Sequence, residues 1–173
     1  MKKQVRSVNI GGTENVIHAC KVQNVGKLIY TSSVHAFTEL EPGSVIDENV
    51  SFNPARTSGV YGKSKAEAVL NVLTAAREGL NAVVLCPTGI IGPFDYKLSE
   101  MGNMIRLFAT GKLRVGIEGS FDFVDVRDVV RSEIEASIKA KAGEVYILGG
   151  EVISIRELTD ILHQITGKKR VNT

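Results

Sequence analysis

Tyr61 and Lys65 are the residues whose chemistry and spacing stand out in this sequence of 173 residues. A spacing of four places both side chains on one face of a helix, about 6 Å apart along its axis. Free tyrosine has a pKa of about 10, and an ammonium group within about 5 Å stabilises the phenolate in a shielded site. The pair therefore predicts a tyrosine that exchanges protons at neutral pH. The alternative is a packing tyrosine beside a solvated lysine, because this spacing also arises by chance.

Hydroxyl-bearing and glycine-rich segments are candidates to complete such a site. Thr31, Ser32 and Ser33 follow a short apolar run, and open α/β sheets bind ligands at the carboxyl ends of such strands. A serine there could hydrogen-bond the same oxygen that Tyr61 protonates. The segment Pro87–Pro93 follows another apolar run, and its glycines allow a flat ring to approach the backbone. Taken singly, the hydroxyls could instead satisfy backbone groups, and the glycines could form an ordinary turn.

The elements that must position these residues have the order of an α/β protein. Apolar periodicity predicts, in chain order, a helix over Val5–Val22 capped by Gly26, a buried strand over Lys27–Thr31, a long loop over Ser32–Val60, a helix over Tyr61–Glu78 stopped by Gly79, and a buried strand over Asn81–Pro87. A strand, a helix and a second strand in this order form a crossover between parallel strands. The sequence therefore predicts the α/β class.

The second half of the chain continues the alternation of helices and strands. The pattern predicts a Gly- and Pro-rich loop after Pro87, a helix over Met101–Ala109, a strand over Phe121–Val126, a helix over Arg127–Lys141, a strand over Glu144–Leu148 and a helix over Ser154–Thr166. Ser154 is the expected N-cap of the last helix, and Glu157 occupies the capping-box position.

Charge and cysteine content exclude several classes of function. The formal net charge is +2 and both signs are mixed along the chain, so the sequence predicts neither a nucleic-acid nor a membrane partner. Cys20 and Cys86 lie in apolar segments, which favours buried reduced thiols over a disulfide or a metal site. No apolar run reaches eighteen residues. We expect a cytoplasmic protein that binds no metal.

Six segments, in order, resemble the extended branch of the short-chain dehydrogenase/reductase superfamily, which contains NAD-dependent epimerases, dehydratases and dihydroflavonol-reductase-like enzymes. The matching segments are Asn9–Val16, Leu28–Ser33, Tyr61–Lys65, Pro87–Pro93, Val124–Val129 and Gly143–Gly150. The resemblance implies an α/β, Rossmann-like doubly wound parallel sheet. It also implies a small-molecule substrate and NAD or NADP as the cofactor.

The resemblance also implies roles for individual residues. Tyr61 would be the general acid/base, Lys65 would lower its pKa and bind the nicotinamide ribose, and Ser33 would polarise the substrate carbonyl or hydroxyl. Asn9 matches the asparagine that supports the lysine through water, which completes the implied catalytic set. The implied cofactor-binding residues are Thr31, Tyr61, Lys65, Pro87, Thr88, Gly89 and Ile90.

The sequence departs from the family pattern at its beginning. It contains no glycine-rich phosphate loop of the form G-x-x-G-x-x-G, and its early glycines, Gly11 and Gly12, lie inside the predicted first helix. The family's loop would precede Met1, so we expect an N-terminally truncated chain that holds the second half of the fold and part of the small substrate domain. We expect a single partial domain over residues 1–173, in which about 88–122 and 144–173 contribute to the substrate-side subdomain.

These observations predict a reductase-like NAD(P)-dependent oxidoreductase that moves a hydride to or from a carbonyl or secondary alcohol. A nucleotide-sugar epimerase or dehydratase remains an alternative, because it would use the same Ser33, Tyr61 and Lys65. An alternative of another class is a non-catalytic fragment or assembly module that lacks the dinucleotide-binding half. We expect this chain alone to bind NAD(P) weakly, to be inactive and, because of an open sheet edge, to form homo-oligomers.

Overall fold

Residues 2–113 and 118–169 are described by a computed structural model, in which the chain divides into two units. The first unit comprises Met1–Pro87 and Val130–Leu148, and the second comprises Thr88–Val129 and Gly149–Thr173. Residues 114–117 and 170–173, which belong to the segments expected on the substrate side, lie outside the described residues. Each unit has its own sheet and its own apolar core.

The first unit is built on a parallel sheet with strand order β1-β2-β5. Its elements are α1 (Lys2–Arg6), a π-helical segment (Ser7–Gly11), α2 (Gly12–Val22), β1 (Leu28–Thr31), two 3-10 turns (Val34–Ala36 and Pro54–Arg56), α3 (Gly59–Arg77), β2 (Ala82–Pro87) and β5 (Val145–Leu148). In the register, Leu28 lies opposite Ala82 and Val84 lies opposite Val145. The expected α/β class with parallel strands is confirmed.

Strand β2 lies at the centre of this sheet, and its side chains alternate between two apolar clusters. Ala82, Val84 and Cys86 belong to the cluster formed with α2 and α3. Val83 and Leu85 belong to a cluster on the other face, which is covered by the helix α5 (Val126–Lys139). All six residues of β2 are buried, as predicted for a strand covered on both faces.

Strand β1 differs from this prediction because its four residues are only half-buried. In the described part of the chain, β1 pairs with β2 alone and therefore forms one edge of the sheet. Strand β5 forms the other edge, where the Ile147 N–H donates to the Glu48 carboxylate at 2.9 Å. An edge N–H occupied by a side chain is less available for pairing with another strand.

Helix α3 packs closely on the sheet through small and β-branched residues. Ala66, Val69 and Val72 are fully buried in the cluster beneath it. The helix ends as predicted at Gly79, whose φ of +103° suits glycine. The N–H of the following Leu80 donates to the Ala75 carbonyl at 3.0 Å, which completes this C-terminal cap.

The predicted single helix over Val5–Val22 is interrupted by the π-helical segment, and its predicted cap is wrong. The helix ends at Val22, and Asn24, rather than Gly26, has the positive φ of a cap residue, +50°. The Val25 N–H donates to the Cys20 carbonyl at 2.9 Å and closes this cap.

The second unit contains a mixed sheet with strand order β3-β4-β6. Its further elements are β3 (Gly89–Ile91), α4 (Glu100–Ala109), β4 (Ser120–Asp125), β6 (Glu151–Ser154) and α6 (Ile155–Thr166), while α5 starts in this unit and continues in the first. Strand β3 is parallel to β4, and β6 is antiparallel to it. A core of Phe108, Phe123, Ile155, Leu158 and Leu162 joins the sheet to α4 and α6.

Two strands of this unit differ from the sequence-based prediction. The segment after Pro87 was expected to be a loop, but Gly89–Ile91 pairs with β4, and β6 was not predicted at all. The capping box of α6 is confirmed. The Glu157 N–H donates to the Ser154 hydroxyl at 3.1 Å, and the Ser154 N–H donates back to the Glu157 carboxylate at 2.7 Å.

Candidate active site

Tyr61 and Lys65 lie one turn apart near the beginning of α3, and Gly62 sets how close this turn comes to its neighbours. A Cβ atom built on Gly62 would lie 2.6 Å from the His35 carbonyl oxygen and 2.9 Å from the Thr57 Cγ2 atom. Only a residue without a side chain fits at this distance. The absence of a side chain at Gly62 therefore lets α3 contact the 3-10 turn that follows β1.

Ser33 caps this 3-10 turn and lies beside Tyr61. Its hydroxyl oxygen accepts the His35 N–H at 3.3 Å, and the residue is buried. A side-chain hydrogen-bonding interaction with Ser33 lowers the pKa of Tyr61. The Tyr61 side chain is 47 % exposed, and its ring lies edge-on to His35 with 6.4 Å between ring centroids. The structure thus brings the two predicted hydroxyls together on an accessible surface.

Burial has a larger effect on the pKa of Tyr61 than this hydrogen bond, and it raises the pKa above the usual value. The sequence predicted a pKa lowered by Lys65, and the described residues do not produce that result. The Lys65 ammonium instead donates to the Thr31 carbonyl at 3.2 Å and lies 5.4 Å from the centroid of the Tyr30 ring. Burial lowers the pKa of Lys65. With these groups, Tyr61 is a protonated hydroxyl at neutral pH.

Thr31 lies at the carboxyl end of β1, and its two polar groups are used differently. Its carbonyl binds Lys65, as described above, and its hydroxyl donates to the Glu133 carboxylate of α5 at 2.9 Å. The backbone of Thr31 thus holds the Lys65 ammonium at the edge of the sheet where Ser33 follows. An ammonium has three N–H donors, and the Thr31 carbonyl takes one of them.

Asn9 lies in the π-helical segment and reaches the beginning of α3 through Ser64. The Asn9 amide donates to the Ser64 hydroxyl at 2.9 Å, and this hydroxyl donates to the Tyr61 carbonyl at 2.8 Å. Ser64 has no exposed surface. Asn9 is therefore connected to the turn that carries Tyr61 and Lys65, and the contact passes through a residue that sequence analysis did not single out.

The other predicted cofactor-binding residues are divided between the two units. Pro87 ends β2 in the first unit, whereas Thr88, Gly89 and Ile90 begin the second. The Thr88 hydroxyl donates to the Asp122 carboxylate at 2.9 Å, and Ile90 is 41 % exposed.

Asp122 was not predicted as a site residue, yet its carboxylate connects the segment after Pro87 to the segment after β5. Besides the hydroxyl of Thr88, its Oδ1 atom accepts the Gly150 N–H at 2.9 Å. The backbone at Gly89 also lies close to β4, since an added Cβ would be 3.0 Å from the Asp122 carbonyl oxygen. The signal in the sequence was an acidic residue between two phenylalanines of the predicted strand.

Cys20 and Cys86 are buried and free, as expected from their apolar surroundings. Burial raises the pKa of the Cys86 thiol to about 12. In residues 2–113 and 118–169, no group of three or more His, Cys, Asp and Glu side chains is arranged to hold a metal ion. The candidate site is therefore a set of hydroxyls, an ammonium and an amide at the carboxyl end of β1 and the beginning of α3.

Comparison with known proteins identifies the family. Residues 2–149 match the family described as "NAD dependent epimerase/dehydratase family". The chain belongs to this family. The resemblance seen in the motifs is thereby confirmed, and the family's NAD dependence agrees with the expected nicotinamide cofactor.

Two curated relatives match nearly the whole chain. One is sterol demethylase protein B of Methylococcus capsulatus, 31% identical over 98% of this chain and 51% of its own length. Another is a putative dihydroflavonol 4-reductase of Synechocystis, 32% identical over 92% of this chain and 48% of its own length. The chain spans about half the length of the curated relatives it matches.

Solved structures give the same result for the fold. The structure of gox2253 is 33% identical, with a TM-score of 0.93, and the match covers all of this chain and 53% of the other. The UDP-glucose 4-epimerase of Thermotoga maritima is 26% identical, with a TM-score of 0.80, over 100% of this chain and 58% of the other. These similarities confirm the Rossmann-like fold class expected from the sequence. None of the helices described is both long and apolar enough to cross a membrane.

Proposed function

We propose that the chain forms the catalytic part of an NAD(P)-dependent oxidoreductase in which Tyr61 exchanges a proton with the substrate oxygen. The observation that carries this proposal is the close approach of α3 to the turn after β1, which places Tyr61 against His35 beside the buried Ser33 and brings the Lys65 ammonium to the Thr31 carbonyl. Two converging donors at an accessible position are suited to bind a carbonyl oxygen. The name of one relative, a putative dihydroflavonol 4-reductase, favours a reductase.

The residues present fit the nicotinamide end of the cofactor. Tyr61 is accessible, and Lys65 keeps N–H donors beyond the one that binds the Thr31 carbonyl. These two residues would hold the nicotinamide ribose, and Pro87, at the end of β2 in the same unit, would lie beside the ring. The cofactor supplies or removes a hydride when bound.

The pKa of Tyr61 favours the reductive direction. Because burial raises this pKa, the hydroxyl carries its proton at neutral pH and is ready to donate it to a carbonyl oxygen. Ser33 holds the same oxygen in place and stabilises the charge that develops on it. In the oxidative direction Tyr61 must first lose this proton, and the interaction with Ser33, which lowers the pKa of Tyr61, favours that loss. Asn9 acts through Ser64 as a positioning residue.

We also propose that the second unit forms the substrate side. It contains the segment that follows Pro87 and the segment that follows β5, which are the parts expected to contribute to a substrate-side subdomain. The Asp122 carboxylate joins these two segments through the Thr88 hydroxyl and the Gly150 N–H. A scaffold fixed in this way is suited to hold variable loops around a substrate.

Turnover by Tyr61→Phe tests the proposal. We would extend the chain at its amino end with a strand, a glycine-rich phosphate loop and a helix, and follow absorbance of the reduced nicotinamide with ketone substrates. Loss of a positioned acid/base is expected to lower turnover by about 10²–10⁴-fold. Tyr146→Phe, at a partly exposed tyrosine of β5 whose hydroxyl donates to Glu144, is the matched control and should leave turnover unchanged. Equal turnover in the two variants would contradict the role of Tyr61.

The pKa of Tyr61 can be tested in the chain as it stands. A spectrophotometric titration of tyrosinate, compared between the native chain and Tyr61→Phe, isolates the titration of this residue. Tyr61 should lose its proton at a higher pH than free tyrosine does, because burial raises its pKa. Ser33→Ala should raise the pKa further, since the hydrogen bond from Ser33 lowers it. A Tyr61 that titrates below pH 10 in the native chain would contradict this account of the site.

A further inference from the structure

The second unit contains an apolar chamber of about 450 Å³ that the proposed proton transfer does not use. Its apolar walls come mainly from β3, the loop after it and α4, and include Ile90, Ile91, Pro93, Leu98, Met101 and Ile105. Binding sites for small molecules are typically about 300–1,000 Å³ and are largely apolar. The chamber has the size and lining of a site for a small organic molecule.

The back of the chamber is fixed by the core of the second unit. Ile91, Met101 and Ile105 pack against the buried cluster that includes Phe108 and Phe123. These three side chains therefore line the chamber on one side and contact the core on the other. A wall supported in this way keeps its shape without a ligand.

The front of the chamber is a loop, residues 92–99, that Asp95 fastens to the beginning of α4. The Asp95 carboxylate accepts the Ser99 N–H at 2.8 Å and the Ser99 hydroxyl at 2.7 Å. Ser99 in turn accepts the Gly102 N–H at 3.0 Å, and a Cβ atom on Gly102 would collide with the Asp95 carboxylate. The loop is thus held against α4 by polar contacts at one end of an apolar space.

Apolar side chains at the mouth of the chamber remain in contact with solvent. Phe94 is 71 % exposed, and both Phe94 and Leu98 have positive φ values, +73° and +55°. Such a backbone costs on the order of 1–3 kcal/mol for a residue other than glycine. Ile90 on the facing strand is also partly exposed. An apolar ligand seated here would remove these side chains from water, which is favourable in proportion to the area covered.

The charge of the lining selects the class of ligand. Among the described residues that line the chamber, Asp95 is the charged one, and Lys97 of the same loop is not part of that lining. A diphosphate would have to lose its water in an apolar space beside a carboxylate, which is unfavourable on both counts. An uncharged molecule meets no such cost.

We propose that this chamber binds the uncharged, apolar body of a carbonyl substrate or its alcohol product, and that it disfavours nucleotide sugars. The claim that the bound molecule is the substrate rests on the hydride transfer proposed for the Tyr61 site. The claim that the chamber binds an uncharged apolar molecule depends only on the second unit. The two can therefore be tested separately.

A single indole can report binding, because the sequence contains no tryptophan. Tyr96 is exposed on the loop, and its ring lies 6.3 Å from that of Phe94. In a Tyr96→Trp chain, energy transfer from the indole to neutral N-phenyl-1-naphthylamine should rise and saturate. The neutral ketone 4-phenylbutan-2-one should reverse this transfer, and UDP-glucose at equal concentration should not. Displacement by UDP-glucose to the same extent would overturn the proposal.

Matched substitutions in the Tyr96→Trp chain test where the probe binds and whether the charge of Asp95 affects binding. Ile90→Ser should weaken binding of the neutral probe about tenfold, whereas Ile134→Ser, at an isoleucine of α5 in the first unit that is 56 % exposed, should not. Asp95→Asn keeps an acceptor for Ser99 and removes the charge. It should tighten binding of anionic 8-anilinonaphthalene-1-sulfonate while changing affinity for the neutral probe less than twofold, about the precision of the titration.

Three results would overturn the proposal: equal weakening by the two serine substitutions, equal effects of Asp95→Asn on the two probes, or no saturable energy transfer. The measurement uses neither a nicotinamide nor turnover. Failure of the Tyr61→Phe turnover test would therefore refute the proposed function and leave the binding result standing, and failure of the binding test would do the reverse.

Discussion

Replacing Gly62 by alanine should reveal how closely α3 packs against the turn after β1. The added Cβ atom would lie 2.6 Å from the His35 carbonyl oxygen, about 0.8 Å short of ordinary van der Waals contact at 3.4 Å. The obstacle is backbone, so it cannot move aside as the end of a flexible side chain would. Either α3 or the 3-10 turn must shift by several tenths of an ångström.

The size of the effect follows from two opposing contributions. Overpacking of a close contact costs about 1–3 kcal/mol, while alanine is better than glycine inside a helix by about 1 kcal/mol. We expect Gly62→Ala to lower the free energy of unfolding by about 1–2 kcal/mol, because the rigid His35 carbonyl places the overpacking cost in the upper part of its range. For a chain of this length, that loss corresponds to a fall in Tm of about 2–8 °C.

Gly12→Ala is the matched control. Gly12 has a helical backbone, with φ of −61°, and an added Cβ would meet nothing within 4 Å. The same substitution should therefore stabilise the chain by up to about 1 kcal/mol. The two variants are predicted to change Tm with opposite signs, which thermal unfolding followed by circular dichroism can decide. If Gly62→Ala raised Tm as Gly12→Ala does, the close contact with His35 would be wrong.

Gly62→Ala should also change the candidate site. A shift between α3 and the 3-10 turn would move Tyr61 away from Ser33. Because the Ser33 side chain lowers the pKa of Tyr61, losing this interaction should raise that pKa further in the tyrosinate titration. An unchanged Tyr61 titration in a destabilised Gly62→Ala chain would show that the contact supports the fold without positioning the hydroxyls.

Three other predictions concern separate parts of the fold. Asp122→Ala should lower the free energy of unfolding by about 1–3 kcal/mol in urea titrations, because two hydrogen bonds lose their acceptor, and Asp122→Asn should cost less. The hydrogen bonds from Ser154 lower the pKa of Glu157 in the folded chain, so the ionised Glu157 carboxylate stabilises the fold above pH 4.5. This stabilisation is lost as the pH falls through the lowered pKa, and Glu157→Gln should therefore make Tm depend less on pH in the acid range. Cys86, with its raised pKa, should resist iodoacetamide at about pH 8 until the chain unfolds, as judged by mass spectrometry.

The long elements could be predicted because their signals are local. Helix α3 combines a sustained apolar periodicity with a glycine at its end, and β2 is a continuous apolar run. Strands β3 and β6 lack such signals. They have three and four residues, and they exist because β4 offers them partners that are distant in sequence. Pairing of this kind depends on tertiary contacts, which a local pattern does not contain.

The apolar pattern of the sequence also gave no indication of the π-helical interruption at Ser7–Gly11. One wider turn changes the register between Val8 and the buried Ile17, but the apolar residues still recur at nearly helical intervals. The wider turn carries Asn9, whose amide contacts Ser64. Segments of π-helix are often found at functional sites, so the interruption and the site share a location.

The types of the candidate site residues could be predicted, but their electrostatics could not. Sequence spacing put Tyr61 and Lys65 on one helix face, and the structure agrees. The direction of the Tyr61 pKa depends on burial and on where the Lys65 ammonium is bound, and neither can be obtained from spacing. Gly62 and Ser64 were missed because their roles depend on tertiary contacts. Gly62 leaves room for the His35 carbonyl, and the Ser64 hydroxyl connects the Asn9 amide to the Tyr61 carbonyl.

The path of the chain has a consequence for how this fold can be cut and recombined. The chain passes between the two units after Pro87, after Val129 and after Leu148, and the second of these passages lies inside helix α5. Neither unit is a contiguous stretch, so no single break separates them and no single fragment consists of one unit alone. A graft that exchanged the second unit for that of a relative would need both of its segments replaced together, with three junctions matched, one of them in the middle of a helix.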